Sequence, residues 1–208
     1  VVIAAQTTRP GRPRDQQIDD AVLAATLALL AEEGYARTTI QAVARRAGVG
    51  PPAIYRRWSN RVELVESAIF PELRGRTIEP TGDLRTDLQK YVDMFQTTFG
   101  SPAARVAVPA LLSEYQSTPS AHRSVALRLG AGVRLGFRGL LAAQPPDTVD
   151  PGINADDVLD VLVGAVMYRT FILPFTGRDD HGDTTADMLL RLLRPPCNPP
   201  EHRDEETP

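Results

Sequence analysis

The chain has 208 residues, of which 42% are hydrophobic, 24% charged and 6% aromatic, with a net charge of −3. This is the composition of an ordinary globular protein of one or two domains. A single cysteine, Cys197, excludes an intramolecular disulfide and fits a reducing compartment. The longest apolar run, Val161 to Phe175, contains Arg169 and Pro174 and falls short of the ~20 residues of a membrane span.

The charge is unevenly distributed. Residues 1–61 hold nine arginines and five carboxylates, a net +4, so the remainder carries −7. A basic N-terminal segment on an acidic body points to a polyanion partner for that segment alone. No secretory signal is visible, because Arg9, Arg12 and Arg14 are followed by no apolar stretch, and a cytoplasmic location is expected.

Taken in chain order, residues 1–15 read as a flexible basic arm. A helix follows from about Gln16 to Glu33, with Ile18, Val22, Ala25 and Leu29 on one stripe. Gly34 ends it. A short helix starts at Thr38-Thr39 and carries Ile40, Val43, Ala44 and Ala47 on one face. Thr38 and Gln41 have the spacing of a capping box. Gly48 turns the chain, Val49 plugs the corner, and Gly50-Pro51 open a third short helix that runs through Tyr55 to about Trp58. Asn60 and Glu63 form a second capping box before a helix carrying Val62, Val65, Ile69 and Leu73. Further helices are expected over 83–99, 102–116, 120–143, 155–173 and 184–193, with a disordered proline-rich tail over 195–208. No strand pattern or internal repeat is present, so the chain is expected to be all-α: a helix-turn-helix domain over 16–60 and a helical domain over 61–194.

Two short helices joined at a glycine turn form a DNA-reading geometry when the second can enter the major groove. Tyr55, Arg56, Arg57 and Arg61 supply phosphate donors around it. The stretch TIQAVARRAGVGPPAIYRRW, preceded by EEGYART and followed by SNRVELVESAI, resembles the DNA-binding domain of the tetracycline-repressor (TetR) family over about residues 16–70. The rest of the chain resembles that family only in length and helical layout.

The resemblance implies a homodimer, a palindromic double-stranded DNA operator, and a small-molecule effector whose binding releases the DNA. It also implies roles for single residues. Thr39 matches a phosphate-facing position at a helix start. Gln41 matches a base-contacting position, with the capping box as the competing role. Tyr55, Arg57 and Arg61 match phosphate contacts, Arg56 stands beside them, and Arg12 and Arg14 are placed to reach the minor groove or backbone. At 51–53 many relatives carry polar residues, but here the chain reads Pro51, Pro52 and Ala53. These offer no side-chain hydrogen bonds to base edges but can pack on thymine methyl groups, so sequence reading is expected to lean on apolar contact, on Gln41 and the arginines, and on DNA shape.

In the C-terminal helices, Tyr91, Phe95, Phe99, Arg105, Leu112, Tyr115, Phe137, Met167, Tyr168 and Phe171 form a set suited either to a pocket for an apolar or aromatic effector or to ordinary core. Gly132, Gly136 and Gly139 form a stripe that points to close helix approach or to space for a ligand. Leu159, Leu162 and Val166, with Met188 and Leu192, are expected to form the four-helix dimer contact that the resemblance implies, with an internal core helix as the competing reading. No catalytic constellation, cofactor motif or metal-ligand spacing is present; the stretch 178–183 reads as a solvated loop, with a cation site as the lesser alternative. The chain therefore reads as a DNA-binding repressor and not an enzyme. An activating or ligand-independent regulator is the nearest alternative, and a small-molecule-binding protein or enzyme with a helix-turn-helix is a more distant one.

Overall fold

A computed structural model describes residues 13–71, 78–117, 119–176 and 183–195. Arg12, Cys197 and the loop 178–182 lie outside the described residues, as does the side chain of Arg14. Every regular element among the described residues is helical. The helices are α1 (Pro13–Glu33), α2 (Ile40–Ala47), α3 (Pro51–Tyr55), α4 (Arg61–Ile69), α5 (Leu84–Gly100), α6 (Pro102–Ser117), α7 (Pro119–Ala142), α8 (Ala155–Phe171) and α9 (Asp183–Leu193), with single 3-10 turns at Tyr35–Arg37 and Leu173–Phe175. α1 starts at Pro13, so it takes in residues 13–15 of the expected arm. Proline is suited to a first helical turn, where its missing N–H has no partner to lose.

The chain folds as two compact units, each assembled from two stretches: 1–71 with 101–126, and 72–100 with 127–208. The first unit thus joins the helix-turn-helix to α4 and to α6, which packs on α1 and α4.

The core of the first unit gathers Val22, Ala25 and Leu29 from α1, Ile40, Val43 and Ala44 from α2, Ile54 from α3, then Trp58 and Leu64. Val49 is half-buried against it, as a plug should be. Gly34 (φ 79°) and Gly48 (φ 68°) both lie in the left-handed region, where a Cβ would crowd the backbone. These two positions turn the chain between α1, α2 and α3.

In the second unit α5 packs on α8 and α9. Leu88, Tyr91, Val92, Phe95 and Phe99 of α5 are buried, as are Phe137 of α7 and Leu189 and Leu193 of α9. Asp87 is fully buried, and it is satisfied. The Thr81 backbone N–H donates to its two oxygens at 2.9 and 3.0 Å and the Thr81 hydroxyl donates at 2.8 Å. This fixes the segment leading into α5. Arg85 donates to Asp187 at 2.8 Å, tying α5 to α9. Arg134 and Arg138 pair with Asp160 and Asp156, tying α7 to α8. In the expected glycine stripe, Gly136 has a contact reason: a Cβ there would stand 3.1 Å from the Tyr91 hydroxyl, whereas one at Gly139 would meet open space.

Of the residues expected at a dimer contact, Met188 and Leu192 are exposed. Leu159, Leu162 and Val166 are buried inside their own unit and have almost no surface left to bury against a second chain. Val161, Tyr168 and Ile172 are exposed.

Candidate nucleic-acid interface

The outer surface of the first unit is built by three caps. Thr39 is the N-cap of α2, its hydroxyl accepting from the Ala42 N–H at 3.1 Å. A threonine hydroxyl both donates and accepts, so its own O–H remains available to a phosphate. Thr38, the expected cap, is buried, and its hydroxyl donates to the Gly34 carbonyl at 2.9 Å. The Thr38–Gln41 capping box is therefore not formed, and Gln41 is exposed on the second residue of α2. Gly50 caps α3 with Pro51 at its first position. Asn60 caps α4, its side chain accepting from the Glu63 N–H at 2.9 Å. The Glu63 carboxylate accepts from the Ser59 N–H at 2.8 Å. The second capping box is thus present, with its return bond shifted by one residue.

α3 presents Pro52 and Tyr55 outward, with Pro51 and Ala53 half-buried beside them. Arg56 is exposed just past its end. Arg45, which sequence reasoning passed over, is exposed one turn along α2 from Gln41. Its signal was the spacing of four from Gln41, which places both on one helix face.

Arg37, Arg46, Arg57 and Arg61 are engaged inside the unit. Arg57 pairs with Asp19 of α1 and donates to the Ala53 carbonyl at 3.0 Å, with its side chain only 15% exposed. Arg46 makes a two-pronged pair with Glu32, and the hydrogen bond from Arg46 holds the Glu32 carboxyl below its ordinary value. Arg37 donates to the Glu33 carbonyl at 3.2 Å. Arg61 pairs with Glu114 of α6 and lies over the Tyr35 ring, 4.3 Å from its centroid. Arg57 and Arg61, both expected at phosphates, thus have carboxylate partners here. Arg57 in particular locks the end of α3 to α1.

The expected effector residues divide between the units. Tyr91, Phe95, Phe99, Phe137 and Phe171 meet in the second. The rings of Tyr91 and Phe137 stand edge to face at 5.0 Å, Phe95 stacks on Phe99 at 5.9 Å, and Phe99 meets Phe171 at 6.3 Å. Burial, then the nearby Asp87, raises the Tyr91 phenol above its ordinary value. Met167 is half-buried and Tyr168 exposed. Arg105, Leu112 and Tyr115 lie on α6 in the first unit. Arg105 and Leu112 are exposed there, and Tyr115 donates to Glu66 at 2.5 Å. A groove of about 430 Å³ runs along the α7–α8 connection, lined by Leu141, Pro145, Val149 and Ile153; none of the expected effector residues lines it. Among the described residues no cluster of metal-binding side chains occurs, and no helix is long and apolar enough to cross a membrane.

Comparison with known proteins agrees with this geometry. The family model for bacterial regulatory proteins of the tetR family matches residues 22–68. The model for the tetracyclin repressor-like C-terminal domain matches residues 78–189. An uncharacterized HTH-type transcriptional regulator of Mycobacterium tuberculosis is 30% identical over 189 residues, covering 89% of each chain. A DNA-binding transcriptional repressor, TetR, of Mycobacteroides abscessus is 41% identical over 78 residues, covering 36% of this chain and 41% of that protein. The crystal structure of the transcriptional regulator FadR from Bacillus subtilis in complex with stearoyl-CoA superposes with a TM-score of 0.59 at 15% identity, covering 84% of this chain and 97% of that one. The helix-turn-helix with its outward Gln41, Tyr55 and Arg56, and the two family matches that together run from residue 22 to 189, show that the chain belongs to the TetR family of DNA-binding transcriptional regulators.

Proposed function

We propose that the chain is a homodimeric repressor that leaves a palindromic operator when an apolar or aromatic small molecule binds its second unit. The outward apolar stripe of the second unit carries this reading. Val161, Tyr168 and Ile172 on and just past α8 are 53, 45 and 49% exposed, and Met188 and Leu192 of α9 are each 48% exposed. Their spacings of seven and four place each set on one helix face. A stripe of this kind is covered when a second copy meets it in a two-fold, self-complementary contact. Such a dimer carries two recognition helices, which suits half-sites about 34–36 Å apart.

Two observations support the effector part. The aromatic row runs from buried Phe95 and Phe99 to half-buried Phe171, so it reaches from the interior of the unit towards its surface. The Bacillus subtilis FadR of similar fold was crystallised with stearoyl-CoA. Repression is favoured by the name of the Mycobacteroides abscessus relative.

The test is sedimentation together with duplex titration. The wild type should sediment as a dimer and prefer its upstream intergenic DNA over a scrambled duplex. Val161→Glu with Leu192→Glu should sediment as a folded monomer and lose that preference. A folded variant that remains a dimer would refute the α8–α9 contact. Long-chain acyl and aromatic compounds should lower DNA affinity by roughly 5- to 150-fold, the usual range of allosteric coupling. No response across such a panel would refute the effector reading.

A further inference from the structure

We propose that Glu114 is an internal competitor for DNA: it holds the Arg61 guanidinium in an ion pair that must open before Arg61 can contact a phosphate. The proposal rests on the DNA-binding reading of the first unit.

Arg61 is the first residue of α4 and directly follows the Asn60 cap. It is therefore near the recognition helix in sequence, six residues past Tyr55. Its guanidinium is drawn to α6 by the Glu114 carboxylate and laid over the Tyr35 ring. Burial raises the Tyr35 phenol to about 12, so the ring stays neutral and brings no competing charge. A carboxylate and a phosphate oxygen use the same guanidinium donors. An arginine committed to one is lost to the other.

The pair is accessible. Its side chains are 29 and 36% exposed, unlike the more enclosed Arg57 that fastens α3. It can also open without detaching α6, because the next residue, Tyr115, makes a separate tie to Glu66 of α4 at 2.5 Å. The carboxylate comes from outside the helix-turn-helix. α6 follows α5, a helix of the second unit, with only Ser101 between them. Linkage then fixes the sign. Whatever strengthens the Arg61–Glu114 pair weakens DNA binding, and bound DNA weakens the pair.

The experiment is a mutant cycle on the full-length protein: wild type, Glu114→Gln, Arg61→Gln and the double variant, each titrated with a fluorescent duplex over a range of salt. Any duplex serves, because the contact is to phosphate. Glu114→Gln should tighten low-salt binding roughly two- to fivefold, the equivalent of a partly exposed ion pair. It should also steepen the slope of log K against log salt by about 0.9 for each protomer that contacts the duplex, ~1.8 for a dimer. In the Arg61→Gln background the same substitution should change neither quantity. Glu114→Asp keeps the charge but shortens the reach, and should fall between wild type and Glu114→Gln. An equal gain with and without Arg61 would overturn the proposal, since it would reflect general charge. An unchanged slope in Glu114→Gln, with the wild type binding normally, would overturn it too. If the wild type binds no duplex at low salt, the DNA-binding reading fails first and the proposal falls with it.

Discussion

Replacing Ile54 with alanine tests whether the recognition helix is held by packing and not by its own helical tendency. α3 has five residues, two of them prolines, far fewer than the ~12–15 an isolated helix needs in water. Ile54 is fully buried and sits in the same cluster as Val43, Trp58 and Leu64. Truncation removes its buried methyl and methylene groups and leaves a cavity, at a cost of about 2–5 kcal/mol. Ile54→Val should cost about 0.5–1.5 kcal/mol. The only tryptophan of the chain, Trp58, lies 4% exposed in this cluster, so its emission follows the first unit alone. At an m value of about 1–3 kcal/mol/M, a loss of ~3 kcal/mol lowers the urea midpoint by roughly 1–3 M. DNA affinity should fall only in conditions where that transition has begun. A loss below ~1 kcal/mol for Ile54→Ala would refute the reasoning. So would lost DNA binding with an unchanged midpoint.

Other expectations follow from the same contacts. Arg45→Gln and Arg56→Gln should each reduce the salt slope of DNA binding by about 0.9 per protomer, ~1.8 for a dimer, with little change in stability. Arg57→Gln should instead lower the urea midpoint, by uncoupling α3 from Asp19; a slope change with no stability change would place Arg57 on DNA. Gly136→Val should destabilise the second unit by about 1–3 kcal/mol through overpacking against Tyr91, measured by thermal melting; a neutral result would show that Tyr91 yields. The carboxyls of Asp156 and Asp187 are held below 3.8 by hydrogen bonds from Arg138 and Arg85. A depressed carboxyl stabilises the fold above its unfolded value, and the benefit is lost as pH falls through the folded one. Melting temperature should therefore decline on acidification below about pH 4, and Asp156→Asn should flatten that decline; an equal slope in the variant would show that the pair contributes nothing.

Much of the architecture could be read from local signals. Gly34, Gly48 and Asn60 mark turns and caps within a few residues of where they act, and each does what its chemistry suggests. The choice between Thr38 and Thr39 was harder, because adjacent threonines offer two registers of cap. The backbone decided it by turning Thr38 inward onto the Gly34 carbonyl. Side-chain partners were less legible. Arg57 and Asp19 are 38 residues apart, and Arg61 and Glu114 are 53 apart, so neither pairing leaves a trace in local pattern. α8 posed a third difficulty. Apolar residues occur on most of its faces, and periodicity alone does not separate the inward Leu159, Leu162 and Val166 from the outward Val161 and Tyr168.

The discontinuous first unit bears on how the protein is made. α1 through α4 leave the ribosome as one stretch, but the helix that covers α1 and α4 lies beyond a long excursion through α5. At about 5–20 residues per second, the interval between Pro71 and Ser117 amounts to roughly 2–9 s. During that time the apolar face awaiting α6 has no cover, and Glu66 awaits Tyr115. The DNA-reading half is translated first, yet it is completed only after part of the other half has been synthesised. A nascent chain that stalls before α6 emerges would display a recognition helix on an unfinished support.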